Sequence, residues 1–167
     1  DIVVMGTKGI TGSRLAIFGT NAINIMDNVP ECPVLAIPAN AIFGTLKEIV
    51  FPTDYKTPFK RRELKYLINI AKMHSAFIRV LHIKQSTNLK NPQQGNKELL
   101  EVLFKEVDHS FHELEGVRVQ AGINAFIESR NSDMVAFINE KRGFFIKVLS
   151  KSLTKELVYY SMIPVLV

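Results

Sequence analysis

The chain has 167 residues, 47% of them hydrophobic and 22% charged, which is enough apolar mass for one good core in a soluble protein. No apolar run approaches the roughly 20 residues that span a bilayer. The opening Asp1-Ile2-Val3-Val4-Met5-Gly6 has neither the basic region nor the cleavage motif of a secretory signal, and the one cysteine, Cys32, rules out an internal disulfide, so a cytoplasmic protein fits. The net charge of +5 is spread along the chain. Its densest points, Lys60-Arg61-Arg62 and Lys141-Arg142, lack interleaved aromatics, which argues against a nucleic-acid footprint.

Ile2 to Met5 is continuously apolar, the pattern of a strand buried on both faces. A helix is predicted from Gly12 or Ser13 to about Asn28, stopped by Pro30 and Pro33, and Pro33–Ile37 is a short strand between prolines. Residues 39–45 read as a linker. A second unit then opens with a strand at Lys47–Pro52. Thr57-Pro58 predicts a helix start, with Leu64, Leu67, Ile68 and Ala71 on its apolar face. A strand over Ala76–Ile83 follows, then an exposed loop from Gln85 to Asn96 and an amphipathic helix over Lys97–Leu114. The remainder reads as a strand at Val117–Ala121, a short helix at Asn124–Ser129, a strand at Met134–Ile138, a helix at Phe145–Tyr159 and a last strand at Pro164–Val167. Strands alternating with helices predict an α/β protein with a doubly wound, mostly parallel five-stranded sheet of Rossmann type over residues 46–167.

The two ends of the chain repeat one another. Asp1-Ile2-Val3-Val4-Met5 overlays Asp133-Met134-Val135-Ala136-Phe137, and Pro33-Val34-Leu35 overlays Pro164-Val165-Leu166. Residues 1–38 thus read as the last strand–helix–strand of one α/β domain, a fragment of a second copy, and residues 46–167 as a complete domain. The chain is expected to begin in the middle of a tandem protein.

The loop after the first strand carries the chemistry. Gly6 can take positive φ and let the loop curl, and Gly9 lets backbone N–H groups approach phosphate oxygens that a Cβ would block. Thr20, and after it Ser13, offer hydroxyl donors, whereas Lys8 reads as a solvated side chain. The bland reading of the glycines is a tight turn packing a strand against a helix.

Gly6, Gly9, Gly19 and Thr20, spaced as glycine, two residues, glycine, nine residues, glycine and threonine, resemble the phosphate signature of the universal stress protein family (UspA-like). Cys32-Pro33-Val34-Leu35 is similar to that family's closing strand. Phe51-Pro52-Thr53-Asp54 is similar to the end of its first strand, where an aspartate sits near the adenosine part of the nucleotide. The resemblance implies an adenine nucleotide alpha hydrolase-like α/β fold, binding of ATP or a related adenine nucleotide, pairing through the last strands Pro33–Ile37 and Pro164–Val167, a homo-oligomer, and a regulatory part in stress response. By the repeat, Gly6 becomes Ile138, Gly9 becomes Lys141 and Gly19-Thr20 becomes Lys151-Ser152, so the second copy loses the backbone cradle. Nucleotide binding is therefore expected in the first domain when complete, the second being degenerate and serving in pairing and regulation, with Asp54 either a binding residue or an acid capping its loop. The alternative is an interaction module that binds no nucleotide.

No hydrolytic apparatus is expected, because the first segment offers only Asp1, Asp27 and Glu31 as acids for a metal. His109 and His112, at i, i+3 on the predicted helix with Glu106 and Glu113 nearby, have a spacing that can hold metal, but such pairs on a charged face are far more often solvated. His82 reads as a packed or solvent-facing histidine, Cys32 as a small buried thiol, and Lys147, Lys151 and Lys155 as a solvated stripe.

Overall fold

The computed structural model describes residues 1–6, 25, 32–42, 44–84, 89, 91–138 and 163–167. The predicted helices over 13–28 and 145–159 lie outside the described residues, apart from Ile25. Among the described residues seven strands form one sheet: β1 (Val3–Gly6), β2 (Val34–Ile37), β3 (Glu48–Pro52), β4 (Phe77–Lys84), β5 (His109–Glu115), β6 (Met134–Ala136) and β7 (Val165–Leu166). Their order is β1-β2-β7-β6-β3-β4-β5. All neighbours are parallel except β2 and β7, which run antiparallel. The doubly wound five-stranded parallel sheet is thus present as β7-β6-β3-β4-β5, and β1-β2 extends it.

Three described helices cover this sheet. In α1 (Arg61–His74) the residues Leu64, Leu67, Ile68 and Ala71 are buried, the stripe predicted from their spacing. α1 starts at Arg61 rather than at Thr57-Pro58, because the Glu63 carboxylate accepts the Lys60 amide at 2.9 Å and satisfies that end of the helix. α1 and α2 (Asn91–Leu103) share one face, where Leu64, Leu67, Leu100 and Phe104 meet Ile49, Phe51 and Ile78 of the sheet. α3 (Val119–Arg130) covers the other face, with Ile123, Phe126 and Ile127 against Val50, Leu81 and Val135. α3 comes close to β4 at Gly122, where a Cβ would stand 2.8 Å from Ile83 Cδ1.

Several expected boundaries differ. Lys97–Leu114 is not one helix: α2 opens at Asn91, ends at Leu103, and the chain turns into β5. Leu100, Leu103, Phe104, Val107, Phe111 and Leu114 keep three- and four-residue spacings straight through the break, so a helical period ran on across a polar edge strand. Val117–Ala121 alternates like a strand, yet Val119 opens α3, whose buried stripe at Ile123, Phe126 and Ile127 decides the matter. β1 is not buried on both faces. It is an edge strand with Val4 58% exposed, and continuous apolar character does not distinguish the two cases.

The two strand pairs at the seam share one register. Val3 lies opposite Val34 and Val4 opposite Leu35, while Val135 lies opposite Val165 and Ala136 opposite Leu166. These are the residues that the sequence repeat equates. Even the first rung recurs, as Val3 N–H donates to Pro33 O at 2.9 Å and Val135 N–H to Pro164 O at 3.1 Å. β2 and β7 meet with Leu35 opposite Leu166. Val34 and Val167 exchange two bonds of 2.8 and 2.9 Å. The equated residues Leu35 and Leu166 face each other, which places a local two-fold axis between them.

Candidate functional site

In a parallel sheet the carboxyl ends of the strands form the edge where ligands settle. β3 delivers Thr53 and Asp54 to that edge, and β6, next to it, delivers Phe137 and Ile138. A cleft there is lined by Phe51, Thr53, Asp54, Thr57, Phe59 and Ile138. It holds about 30 Å³, room for about two waters and far below the 300 Å³ or more of a typical ligand pocket. The structure thus brings together Asp54 and Ile138, two residues singled out from the sequence. Ile138, standing where the repeat has Gly6, lines the cleft.

Asp54 is held as a loop acid. Its Oδ1 accepts the Lys56 amide at 3.0 Å, its Oδ2 pairs with Lys56 Nζ at 3.4 Å, and its carbonyl accepts Gln93 Nε2 at 2.7 Å. Beneath it lies a group not singled out from the sequence. Tyr55 has a left-handed backbone, φ 55°, and is fully buried. Its amide donates to Thr53 Oγ1 at 3.0 Å, and its carbonyl accepts Asn96 Nδ2 at 2.8 Å. Its ring lies 4.9 Å from that of His82, whose Nδ1 donates to the Thr53 carbonyl at 2.9 Å. The Tyr55 hydroxyl has no hydrogen-bond partner among the described residues. Burial, then the Glu113 charge, pushes its acidity well down, so it stays a neutral phenol. Of the packed and solvent-facing places expected for His82, the structure shows the packed one.

Gly6 closes β1 at the same edge of the sheet, exposed and opposite Ile37 of β2. Gly9, Ser13, Gly19 and Thr20, like Lys141, Lys151 and Ser152, lie outside the described residues. Asp1 precedes β1 and so stands at the opposite edge from Gly6.

That opposite edge carries a polar clasp. Glu48 accepts Arg79 Nε, Arg130 Nε, Arg130 Nη2 and Ser132 Oγ, all at 2.8 Å. Burial alone would raise the Glu48 carboxyl, but Arg130, Arg79 and Ser132 outweigh it and hold the pKa at about 2. Arg79 Nη1 also donates to Ser110 Oγ, which lies 2.8 Å from His112 Nε2. Burial, then the charges of Arg130 and Arg79, lowers the His112 pKa. His109 and His112 therefore sit on β5, not on a helix. Their side chains take opposite faces, His109 against Phe104 and His112 against Phe126, so they share no metal. Among the described residues no cluster of His, Cys, Asp or Glu could hold an ion, and no helix is long and apolar enough to cross a membrane.

No protein-family model matches the sequence, and no curated protein does. Solved structures do. A universal stress protein from Archaeoglobus fulgidus DSM 4304 superposes with a TM-score of 0.65 at 15% identity over 99% of this chain. A putative universal stress protein from Pseudomonas aeruginosa UCBPP-PA14 gives 0.62 at 16% identity, again over 99% of the chain. The chain spans 59% and 62% of the lengths of those two structures. The universal stress protein from Archaeoglobus fulgidus in complex with dAMP gives 0.51 at 15% identity over 74% of this chain and 100% of its own. Built on a doubly wound parallel sheet and superposing on these structures along nearly its whole length, the chain has the universal stress protein fold.

Proposed function

We propose that the protein is a universal-stress-type binder of an adenine nucleotide, ATP or a relative, in which the loop opening at Gly6 cradles the phosphates. The second strand–loop unit, ending at Ile138, serves pairing and regulation instead. The observation that carries this reading is the equivalence of Gly6 and Ile138. Gly6 ends β1 and Ile138 follows β6 by two residues, the two strands lying in one shared register, β1 on β2 and β6 on β7. Glycine leaves that place open to a phosphate, whereas the isoleucine lines the cleft beside Asp54. A similar fold has been solved with dAMP, which favours an adenine nucleotide over other anions.

The role is binding rather than turnover, since Asp1 lies at the wrong edge of the sheet to hold a metal near Gly6. A part in stress response goes with the names of the fold's neighbours, and a cytoplasmic place belongs to the same proposed reading. The antiparallel joint of β2 and β7 favours the second reading, a pairing module without ligand. Both strands are flanked on both sides within one chain, so a homo-oligomer would use other surfaces.

Mass spectrometry of small molecules released from the freshly purified natural polypeptide tests the proposal. Wild type is expected to carry adenine nucleotide close to one per chain, Ile138→Gly the same or more, and Gly6→Val at least tenfold less. Nucleotide retained in full by Gly6→Val overturns the site. Its absence from wild type leaves the pairing module.

A further inference from the structure

Three strands bring four polar side chains to one face of the sheet. Alternation puts Glu48 of β3, Arg79 of β4, and Ser110 and His112 of β5 on the α3 side, the side of Val50, Leu81 and Leu114. The β4–β5 register sets Arg79 opposite Ser110. Glu48 is the centre of the clasp described above. Its bonds to Arg79, Arg130 and Ser132 are complete without the Ser110–His112 pair.

That pair is wired as a nucleophile and its base. Arg79 Nη1 lies 2.8 Å from Ser110 Oγ, and a guanidinium only donates, so the hydroxyl oxygen accepts there. The one hydroxyl proton is then left for His112 Nε2, also at 2.8 Å. This nitrogen accepts only in the neutral ring that carries its proton on Nδ1. Burial, then the charges of Arg130 and Arg79, favours the neutral ring against the opposing pull of Glu48. The ring packs on Phe126 of α3 with centroids 5.0 Å apart. A serine hydroxyl held between a cation and a neutral imidazole is an activated nucleophile.

Access and charge agree with that role. β5 ends the sheet, so among the described residues no strand covers its outer side, and Ser110 and His112 are only partly buried. Arg130, whose side chain is 34% exposed, uses Nε and Nη2 on Glu48. Arg79 uses Nε on Glu48 and Nη1 on Ser110. Among the described residues Arg130 Nη1 and Arg79 Nη2 have no acceptor, which leaves N–H donors for a developing oxyanion. Two guanidinium groups against the one Glu48 carboxylate also leave positive charge to receive it.

We propose that Ser110 is a nucleophilic serine and His112 its general base, a dyad that takes the acyl group of a small carboxylic ester at the open margin of β5. Ser110 Oγ bonds to the ester carbonyl carbon while its proton passes to His112 Nε2. The C–O bond of the ester then breaks, and the alcohol leaves with that proton. Water, giving a proton to the same nitrogen, releases the acid, and the proton returns to Ser110 Oγ. The reaction needs no nucleotide and stands apart from the binding proposed above.

Treatment of the purified protein with diisopropyl fluorophosphate, followed by peptide mass spectrometry, tests the proposal. Ser110 Oγ bonds to phosphorus, fluoride leaves, and the proton goes to His112. One adduct per chain is expected, on Ser110. His112→Gln is expected to slow its formation by at least about a hundredfold with the fold intact by circular dichroism. With 4-nitrophenyl acetate, wild type is expected to release a burst of about one nitrophenolate per chain, and Ser110→Ala none. An unlabelled Ser110 in wild type overturns the dyad, whether or not a variant folds. Labelling of folded His112→Gln at the wild-type rate overturns the part given to the histidine and leaves Ser110 as a bridge for Arg79. Labelling without a burst overturns acyl transfer.

Discussion

Tyr55 is held in a conformation that its own chemistry opposes. A bulky L-residue at φ 55° is an outlier, and its hydroxyl is buried without a partner among the described residues. Neighbours over-determine the conformation: the Thr53 hydroxyl takes the amide, Asn96 takes the carbonyl, and Asp54, one residue before, is held by Gln93. Removing the hydroxyl while keeping the ring relieves one part of the conflict. Tyr55→Phe is expected to stabilise the protein by about 1 kcal/mol, read as a raised midpoint in urea at constant slope. An unchanged or lowered midpoint would mean that the hydroxyl has a partner in solution. Nothing in the sequence announces this residue. Asp54 was legible because it follows an apolar strand, and Gly6 for the same reason. Tyr55 depends on Asn96 and Gln93, some forty positions away, whose reach is a matter of tertiary structure.

At the scale of elements, the clasp around Glu48 ties β3, β4, β5 and α3 through Arg79, Ser110 and Arg130. The folded pKa of His112 lies below the usual 6.5, so the unfolded chain binds that proton first. Its contribution is whole above pH 6.5 and fades as pH falls below that value. The Glu48 pKa is lowered from 4.5 to about 2, so its contribution is whole above pH 4.5 and is lost as pH falls toward 2. Melting temperature is therefore expected to drop in two separate acid windows. His112→Gln should flatten the first and leave the second. Glu48→Gln should shrink the second, to which Glu106 and Glu113 also contribute through their lowered pKa values, and lower stability at neutral pH by about 2–3 kcal/mol, because two guanidinium groups lose their counter-charge. A single window in wild type would separate His112 from the clasp. The elements themselves were legible in proportion to their periodicity. The stripe of α1 gave its buried face, and strands β3, β4 and β6 stood out as apolar runs. β5, an edge strand with Lys84 and Lys97 on its Glu113, has the composition of a helix surface and was read as one.

Over the whole molecule, the repeat in the sequence became a two-fold relation in the sheet, with the β2–β7 joint at its centre. That joint was foreseeable from the resemblance, which implies pairing through the last strands Pro33–Ile37 and Pro164–Val167. The seven-stranded continuity was not, because sheet order across an antiparallel seam leaves no mark on local pattern. Val34 and Val165, each 1% exposed, lie in the seam. The covalent tie between β2 and β3 is residues 38–47, where Ile42 is 93% exposed. A cut between Asn40 and Ala41 should thus leave residues 1–40 held on 41–167 by non-covalent contacts, chiefly the seam, with the Asp1 amino group bonded to the Tyr66 hydroxyl. The cut protein is expected to run as one species in native size exclusion and as two bands after denaturation; immediate separation at high concentration would show that the seam cannot hold by itself. Intact, the linker tethers the two sides of the seam. It supplies an effective concentration on the order of millimolar, and with the tether severed the same joint becomes an ordinary bimolecular equilibrium, so the protein can in principle be made as two halves that find one another on dilution-sensitive terms.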